Sequence, residues 1–530
     1  MSAYHEGNMD VEQTLAQGIA LHKSGDLPSA EKIYREILVS TPEHADAIHL
    51  LGVIAYQTGH FQEAADLIER AITIKPATPY FLNLGNAYHS LLDYDRATEN
   101  FLKVLTAEPH HVMAHVNLAN TYLAMKDYQR AIVSYHAAIN LSPNSAEALT
   151  GLGLVCFELG RFEEALELHA KAAANAKSQL EFYLTNSAQT LIAVKHYDEA
   201  ERVLRAAIAQ NPNLVEPHVH LAHLYLRTGR FEQGWKEYEW RLKRPGAERP
   251  PTSEGALTGN IKGEKILVIA EQGLGDSLQF VRFCKQLVDA GAIVDIFAPV
   301  NLKEFFGQLK FIRSVVTGSD GLEPYHHIVS MLSLPLSLKL NHPKQFEMSE
   351  PYLAADSMRV EKWKERLDSA ATGKNYRVGL CWQGSTVHKM DAFRSIPLVN
   401  FEKLIASRQD IAWVSLQKVD SQAQLKKAPF SKQIVDFTAE MDADGSAFPD
   451  AAAIIENLDL VITVDTAIAH LAGAMGKPVW ILLGANSDWR WLDLGRETSW
   501  YPSARIFRGG QPMKWDVVMT EVADALRSKV

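Results

Sequence analysis

The stretch 59–72, GHFQEAADLIERAI, decides the fold of the first half of the chain, because variants of it recur along the sequence. The stretch 160–173, GRFEEALELHAKAA, keeps its glycine, its aromatic residue and its order of small and apolar positions. The variants align on small residues that are 33 to 35 positions apart: Ala30, Ala64, Ala97, Ala131, Ala165, Ala200 and Gly234. A fixed period of this length indicates a repeat array whose neighbouring units bury each other's apolar faces.

Each unit predicts two helices joined by a turn. The aligned alanine permits close helix crossing, and an aromatic residue fills the groove beside it. Prolines that stop the second helix close most units: Pro42, Pro76, Pro109, Pro143 and Pro212. The pattern resembles the tetratricopeptide repeat family over residues 11–245. This resemblance implies an α-helical solenoid whose groove receives a protein or peptide.

Four asparagines lie on the predicted first helices, at Asn83, Asn86, Asn117 and Asn120. They are placed to reach the backbone of a bound peptide. The alternative is that they are merely solvated helix positions, and the sequence leaves both interpretations open.

Composition narrows the class of protein. A chain of 530 residues with 47% hydrophobic residues predicts two to four globular domains. A formal net charge of −10 does not support a broad nucleic-acid interface. We find neither an export signal nor a membrane span in the sequence. Three widely separated cysteines fit a reducing compartment, so we expect a cytoplasmic protein.

After Arg244 the repeats give way to apolar segments that alternate with helical ones. The predicted strands are KILVIA (265–270), IVDIFA (293–298), HIVSML (327–332), RVGLCW (377–382), AWVSLQ (412–417), DLVITV (459–464) and VWILL (479–483). This alternation predicts an α/β region with parallel sheets in two Rossmann-like lobes, and a ligand in the cleft between them. We expect a connector at 246–262, a first lobe at 263–360 and a second lobe at 375–530.

The first lobe contains the loop AEQGLGDSLQFVRF at 270–283, between a predicted strand and a helix. It is not a dinucleotide fingerprint, because Leu278 is not small, and it is not a GxxxxGK[ST] phosphate loop. Gly273 and Gly275 let a bulky group approach the backbone, and Asp276 can accept a proton from an attacking hydroxyl. The alternative is that Asp276 only caps the following helix.

The second lobe contains VDTAIAHLAGAMGKP at 464–478. Asp465 or Thr466 can cap the helix, whose free N–H groups at Thr466 and Ala467 then form an anion site suited to a pyrophosphate. His470 follows one turn later, where it either faces the same site or serves only in packing.

The two loops together resemble the heptosyltransferase-like glycosyltransferases, the ninth glycosyltransferase family, over residues 263–528. The resemblance implies a two-lobed GT-B fold and a nucleoside diphosphate sugar as the donor substrate. It also implies that Asp276 is the general base and that donor contacts come from Asp465, Thr466, Ala467 and His470. In the segment CWQGSTVHKMDAFRSIP (381–397), Arg394 takes the place of the family's basic phosphate ligand, which is more often a lysine.

Several other residues of the second lobe are candidates for contact with the donor or a metal. Gln383 is expected to contact the donor, and Gln417 either reads a nucleobase edge or merely caps a strand end. His388, Lys389 and Asp391 can instead act near the sugar. The aromatic residues Trp489, Trp491, Trp500 and Tyr501 either stack on the donor or pack the C-terminal segment. The DADG sequence at 442–445 superficially resembles a metal motif, but we interpret it as a solvated loop.

The leading hypothesis is sugar transfer to a Ser or Thr hydroxyl of a protein bound by the solenoid. Repeats fused to such a transferase are similar in architecture to the O-linked N-acetylglucosamine transferases and flagellin-modifying transferases. Because Arg394 and the helix after Asp465 can neutralise the diphosphate, we expect no metal and no other cofactor. Two alternatives stay open, a peptide-binding scaffold with an inactive nucleotide-sensing domain and a nucleotide-sugar epimerase. We expect residues 1–245 to fold separately.

Overall fold

The computed structural model describes residues 3–246, 257, 259–318, 323–348, 350–388, 390–418, 422–493 and 495–528. Most of the expected connector at 246–262, and Lys389, lie outside these described residues. The chain divides into two compact units, Met1–His196 and Tyr197–Val530.

The first unit is helical throughout its described residues, and consecutive helices pack in pairs. Its helices are α1 (Ala3–Lys23), α2 (Leu27–Ser40), α3 (Ala45–Gln57), α4 (Phe61–Ile74), α5 (Thr78–Ser90), α6 (Tyr94–Ala107), α7 (Val112–Ala124), α8 (Tyr128–Leu141), α9 (Ala146–Glu158), α10 (Phe162–Asn175) and α11 (Leu180–Ala193). This arrangement confirms the predicted helical repeat solenoid.

Small residues set the close crossing of the paired helices. The aligned alanines are fully buried: Ala30, Ala64, Ala97, Ala131, Ala165 and Ala200. A Cβ atom on Gly85 in α5 would lie only 2.5 Å from the Phe101 ring in α6. A larger residue at such a position would therefore force the helices apart.

The four asparagines form hydrogen bonds within the first unit. The Asn83 amide nitrogen lies 2.9 Å from a ring nitrogen of His49, one repeat earlier. Asn117 donates to the Asn86 side-chain oxygen at 2.8 Å, and a tyrosine hydroxyl donates to Asn120. Asn120 is nevertheless exposed and the other three are partly exposed, so the interpretation as solvated helix positions stays open. Their contact with a peptide stays a prediction.

The second unit begins with three more repeat helices, α12 (Tyr197–Gln210), α13 (Val215–Arg227) and α14 (Phe231–Tyr238), and a 3-10 helix (Glu239–Lys243). In α14, Trp235 is 1% exposed and belongs to the core of the α/β region. Its indole N–H donates to the Leu340 carbonyl oxygen at 2.7 Å, and its ring packs edge-on against Phe280. The last repeat is therefore part of the same hydrophobic core as the first sheet.

The α/β region contains two sheets that are parallel throughout. The first has the order β3-β2-β1-β4 and the second the order β10-β9-β8-β5-β6-β7. The strands are β1 (Lys265–Ile269), β2 (Ile293–Phe297), β3 (Ser314–Val316), β4 (His327–Ser330), β5 (Tyr376–Cys381), β6 (Ile411–Ser415), β7 (Ile434–Val435), β8 (Leu460–Val464), β9 (Val479–Leu483) and β10 (Ala504–Arg508). The helices of this region are α15 (Leu274–Phe280), α16 (Arg282–Asp289), α17 (Lys303–Phe306), α18 (Leu334–Ser337), α19 (Ser357–Ala370), α20 (Asp391–Arg394), α21 (Glu402–Ala406), α22 (Gln422–Lys427), α23 (Pro449–Glu456), α24 (Ala467–Ala474) and α25 (Asp516–Arg527).

Every strand expected from the sequence is present, and two parallel sheets covered by helices are consistent with the GT-B fold. The structure adds β3, β7 and β10, which have three, two and five residues. Two of these strands are too short for a periodic pattern, and all three lie at or next to a sheet edge. The expected lobes at 263–360 and 375–530 each contain one sheet.

Because Trp235 completes the α/β core, we predict that a fragment of residues 197–530 folds, whereas a fragment of residues 246–530 does not. Removing α14 would expose the apolar surface that this helix covers, and the Leu340 carbonyl would lose its partner. Circular dichroism melting of the two fragments tests this. A cooperative transition in the shorter fragment at the temperature of the longer one would contradict it. The expectation that residues 1–245 fold as a separate domain stays a prediction.

Candidate functional site

Both sheets reverse their strand order at a central strand. In the first sheet β1 lies between β2 and β4, and in the second sheet β5 lies between β6 and β8. Ligands of open α/β sheets bind at the carboxyl ends of the strands beside such a reversal. The loop after β1 leads to Asp276, and the loop after β8 contains Asp465 and Thr466. The topology therefore puts both predicted loops at the edge of their sheets where ligands of such folds ordinarily bind.

Helix α15 packs directly against helix α24, which brings the two loops together. A Cβ atom on Gly275 would lie 3.1 Å from the His470 ring and 3.4 Å from the Ala467 Cα atom. Gly275 therefore serves close helix packing between the two lobes. The sequence suggested instead that this glycine leaves room for a ligand.

Asp276 accepts hydrogen bonds on both of its carboxylate oxygens. Its Oδ2 atom accepts from the Gly273 backbone N–H at 3.0 Å, which is the helix cap that the sequence allowed as an alternative. Its Oδ1 atom accepts from the Arg490 guanidinium. Burial raises the pKa of the Asp276 carboxyl although Arg490 opposes the shift, and the side chain stays 22% exposed. The carboxylate is thus held in one orientation and still reaches solvent.

Arg490 is the residue of this site that sequence reasoning missed. It lies in a 3-10 helix (Trp489–Trp491), is buried, and donates to the side chains of Asp276, Asp488 and Gln279. Although burial opposes it, Arg490 keeps the pKa of the Asp488 carboxyl below its usual range. In the sequence Arg490 stands between Trp489 and Trp491, which are the more conspicuous candidates for contact with a donor. No local sequence pattern marks an arginine that pairs with a residue more than 200 positions away.

Arg394 lies over the backbone of Gly384, where a Cβ atom would be 2.4 Å from the guanidinium. Its Nη1 atom donates to the Asp465 carbonyl oxygen at 3.3 Å, and its Nε atom lies 3.4 Å from the Asp391 carboxylate. The side chain is 23% exposed. The structure therefore places Arg394 beside the loop that precedes α24, as the anion-site prediction requires.

The first turn of α24 follows Thr466, whose side chain makes no capping hydrogen bond. The Thr466 hydroxyl lies 3.1 Å from the Thr463 hydroxyl instead. Burial and the neighbouring Asp488 carboxylate raise the pKa of Asp465. Neither Asp465 nor Thr466 caps the helix in the way expected, so the first N–H groups of α24 stay available to an anion.

His470 is packed between aromatic residues. Its Nδ1 atom lies 2.9 Å from the Tyr501 hydroxyl, and its ring stacks on Trp491 with centroids 5.4 Å apart. Burial lowers the pKa of its imidazole to about 3, so the ring is neutral near pH 7. These contacts are those of the packing alternative, and a donor contact by His470 stays a prediction.

The Gln417 side chain joins the ends of β5 and β6. Its oxygen accepts from the backbone N–H groups of Trp382 and Gln383, at 3.1 and 3.0 Å, and its nitrogen donates to the Gln383 carbonyl at 2.9 Å. This is the strand-end cap that the sequence allowed, and it leaves the amide little capacity for a nucleobase. Gln383 itself accepts from Gln424 at 2.7 Å through its side-chain oxygen.

Asp442 of the DADG sequence is 4% exposed and accepts from the Asp450 backbone N–H at 2.7 Å. The other three residues, 443–445, are exposed, which fits the interpretation of a solvated loop. Among the residues that the structure describes, no three His, Cys, Asp or Glu side chains are grouped as metal ligands. The aromatic side chains of the C-terminal segment are 1% to 4% exposed, which favours packing over stacking on a donor: Trp489, Trp491, Trp500 and Tyr501.

The last repeat also supports the first loop. The Arg241 guanidinium forms two hydrogen bonds with the Glu271 carboxylate, at 3.2 and 2.6 Å, and donates to the Ser333 hydroxyl at 2.8 Å. Arg241 is 3% exposed and Glu271 is 6% exposed. Glu271 lies two residues before Gly273, so this buried ion pair fixes the start of the loop that carries Asp276.

Chemically, the site combines one oriented carboxylate, a partly exposed arginine and a helix N-terminus. The carboxylate can take a proton, while the arginine and the N–H groups can stabilise an anion. Within the described residues, every helix is too short or too polar to cross a membrane.

Comparison with known proteins gives matches in both parts of the chain. Residues 413–525 match glycosyltransferase family 9 (heptosyltransferase), and tetratricopeptide repeat matches cover 15–79, 78–111, 110–178 and 191–234. Protein FlbA of Caulobacter vibrioides is 25% identical in an alignment of 556 positions that covers 98% of this chain and 90% of that protein.

Solved structures resemble only part of the chain. The Cut9–Hcn1 structure of the APC/C hetero-tetramer is 16% identical over 43% of this chain and 45% of that chain, with a TM-score of 0.39. A tetratricopeptide repeat protein from Parabacteroides merdae is 16% identical over 46% of this chain and 95% of that chain, also with a TM-score of 0.39. The family matches thus identify the repeat region and the α/β region: the chain combines tetratricopeptide repeats with a glycosyltransferase family 9 domain.

Proposed function

We propose that this protein transfers a sugar from a nucleoside diphosphate sugar to a Ser or Thr hydroxyl of a protein acceptor. The observation that carries the proposal is the packing of α15 on α24 through Gly275, since it brings the loop that carries Asp276 close to the N-terminus of α24. The family 9 match supports the nucleotide-sugar donor. The repeats support a protein acceptor, because such solenoids ordinarily bind polypeptides.

In the proposed reaction, the acceptor oxygen attacks the anomeric carbon of the sugar while Asp276 takes its proton. The bond between the anomeric carbon and the phosphate oxygen breaks, and its electron pair leaves with the nucleoside diphosphate. Arg394 and the first N–H groups of α24 stabilise that negative charge. Arg490 orients Asp276 and keeps the carboxylate in place. On this basis the residues of the chain suffice without a metal ion.

The donor part of the proposal is tested by thermal denaturation with a panel of UDP-, GDP-, ADP- and TDP-sugars. A donor at 100 times its dissociation constant adds about 2.7 kcal/mol to the free energy of unfolding. If no donor stabilises the protein, the transferase function is wrong. Stabilisation without donor turnover, by transfer or by hydrolysis, would favour the nucleotide-sensing scaffold, and conversion of the sugar without release of nucleoside diphosphate would favour an epimerase.

We predict that Arg394→Ala weakens donor binding about 10- to 100-fold and lowers turnover as well. The substitution removes a charged contact made to the diphosphate in the ground state, and such contacts contribute about 1.5 to 3 kcal/mol. Donor titration by calorimetry measures the change. Arg366→Ala is the matched control, because Arg366 pairs with Glu440 at the surface. Equal donor affinity in the two variants would remove Arg394 from the donor site.

A further inference from the structure

The first helix of the last repeat, α13, is bound to the segment that carries Asp488 and Arg490. The Arg227 guanidinium at the end of α13 donates to the Ser487 carbonyl oxygen and, at 3.0 Å, to the Asp493 carboxylate. These two residues flank the 3-10 helix that contains Arg490. Arg227 is 9% exposed, so this is a buried connection between the last repeat and the candidate site.

His223 lies one helical turn before Arg227 and therefore on the same face of α13. Its ring centroid is 5.7 Å from that of Tyr238, whose ring in turn contacts Trp489 at 6.1 Å. The two contacts of Arg227, and the packing of His223 on Tyr238 and of Tyr238 on Trp489, thus connect α13 to both sides of Arg490.

The His223 imidazole is available to a ligand. Within the described part of the chain, no hydrogen bond to either of its ring nitrogens is observed, and the side chain is partly exposed. Burial nevertheless lowers the pKa of the imidazole to about 3. The side chains of Asp276 and Asp488 also reach solvent, with exposed fractions of 22% and 37%.

The chemistry at His223 suits an uncharged partner. Near pH 7 the ring is neutral and presents one N–H donor and one nitrogen acceptor. A neutral imidazole carries no positive charge to offset the negative charge of a diphosphate, which Arg394 and the N-terminus of α24 stabilise better. It does suit the hydroxyl and amide groups of a polypeptide.

We propose that the last repeat forms the acceptor side of the transfer site and that His223 hydrogen bonds to the hydroxyl-bearing segment of a polypeptide acceptor. This inference rests on the proposed transferase function. His223 is a binding residue in this scheme, and Asp276 remains the base. The repeats then both recruit the acceptor and position its hydroxyl for attack.

The test compares His223→Ala and His223→Gln with the unchanged protein. The donor is the nucleotide sugar that stabilises the protein most, and the acceptors are an array of Ser- and Thr-centred synthetic peptides. We expect His223→Ala to raise the acceptor KM about 3- to 10-fold with little change in kcat, since one neutral hydrogen bond is lost. The Gln variant should recover much of the affinity, because its amide also donates and accepts. Donor-induced stabilisation and donor hydrolysis in water should not change. His196→Ala, an exposed histidine in the turn between α11 and α12, is the control.

Several results would overturn the inference. One is an unchanged acceptor KM in His223→Ala, and another is a loss of donor binding or donor hydrolysis in that variant. If donors bind and are hydrolysed but no peptide is modified, the polypeptide acceptor site is wrong while donor chemistry stands. If no donor binds at all, the proposed function itself fails, and the acceptor site fails with it.

Discussion

Asp276→Asn is expected to lower the rate of sugar transfer about 10²- to 10⁴-fold, with donor affinity little changed. Asparagine has the same size, and its single side-chain oxygen can keep one of the two hydrogen bonds that Asp276 accepts, from the Gly273 N–H or from Arg490. The amide cannot take a proton from the acceptor hydroxyl, so general base catalysis is lost. Measurement of kcat/KM for transfer, together with the donor-induced thermal shift, separates this loss from a loss of donor binding.

The matched control is Asp356→Asn. Asp356 also caps a helix, because its carboxylate accepts from the Arg359 backbone N–H at 2.9 Å at the start of α19. This variant should lose a little stability and no transfer activity. If Asp276→Asn keeps the turnover of the unchanged protein, Asp276 is only a helix cap and the assigned chemistry is wrong.

The second large effect is expected for Arg241→Met, which should lower the free energy of unfolding of the second unit by about 3 to 5 kcal/mol. The substitution leaves the buried Glu271 carboxylate without the guanidinium that neutralises it, and an uncompensated buried charge is strongly destabilising. Urea unfolding followed by tryptophan fluorescence measures the loss.

Two further variants identify the cause of that loss. Arg241→Met combined with Glu271→Gln should recover part of the stability, because the buried carboxylate is then gone and only the partly exposed Glu239, which Arg241 also contacts at 2.8 Å, has lost its arginine. Arg244→Met breaks a pair with Glu216 whose side chains are 41% and 48% exposed, and should cost less than about 1 kcal/mol. Equal effects of Arg241→Met and Arg244→Met would show that the buried pair is no more important than a surface one.

The Arg241–Glu271 pair and Trp235 also explain why the chain does not divide where the repeats end. The helical period continues to α14, but the side chains of the last repeat complete the core of the α/β region and hold the loop before Asp276. The boundary between compact units therefore falls earlier, at Tyr197. The period of the sequence predicts that a helix forms there. It does not predict which surface that helix packs against.

The sequence by itself determined the elements that depend on local patterns. The period near 34 residues requires small residues at the helix crossings, and Ala64 and its equivalents are indeed fully buried. Apolar runs such as DLVITV predict buried parallel strands because both faces of such strands are covered. The positions of Asp276 and Thr466 at strand ends followed from this order of elements alone.

Only the tertiary structure decided the partners of these residues. Arg490 meets Asp276 across more than 200 positions, and Gln417 turns its amide to the backbone after β5 instead of to a ligand. Gly275 serves a contact between two helices that are far apart in the chain. Such pairings depend on the order of the strands in each sheet and on how the two lobes pack against each other. Because they produce no periodic pattern in the sequence, a local pattern cannot predict them.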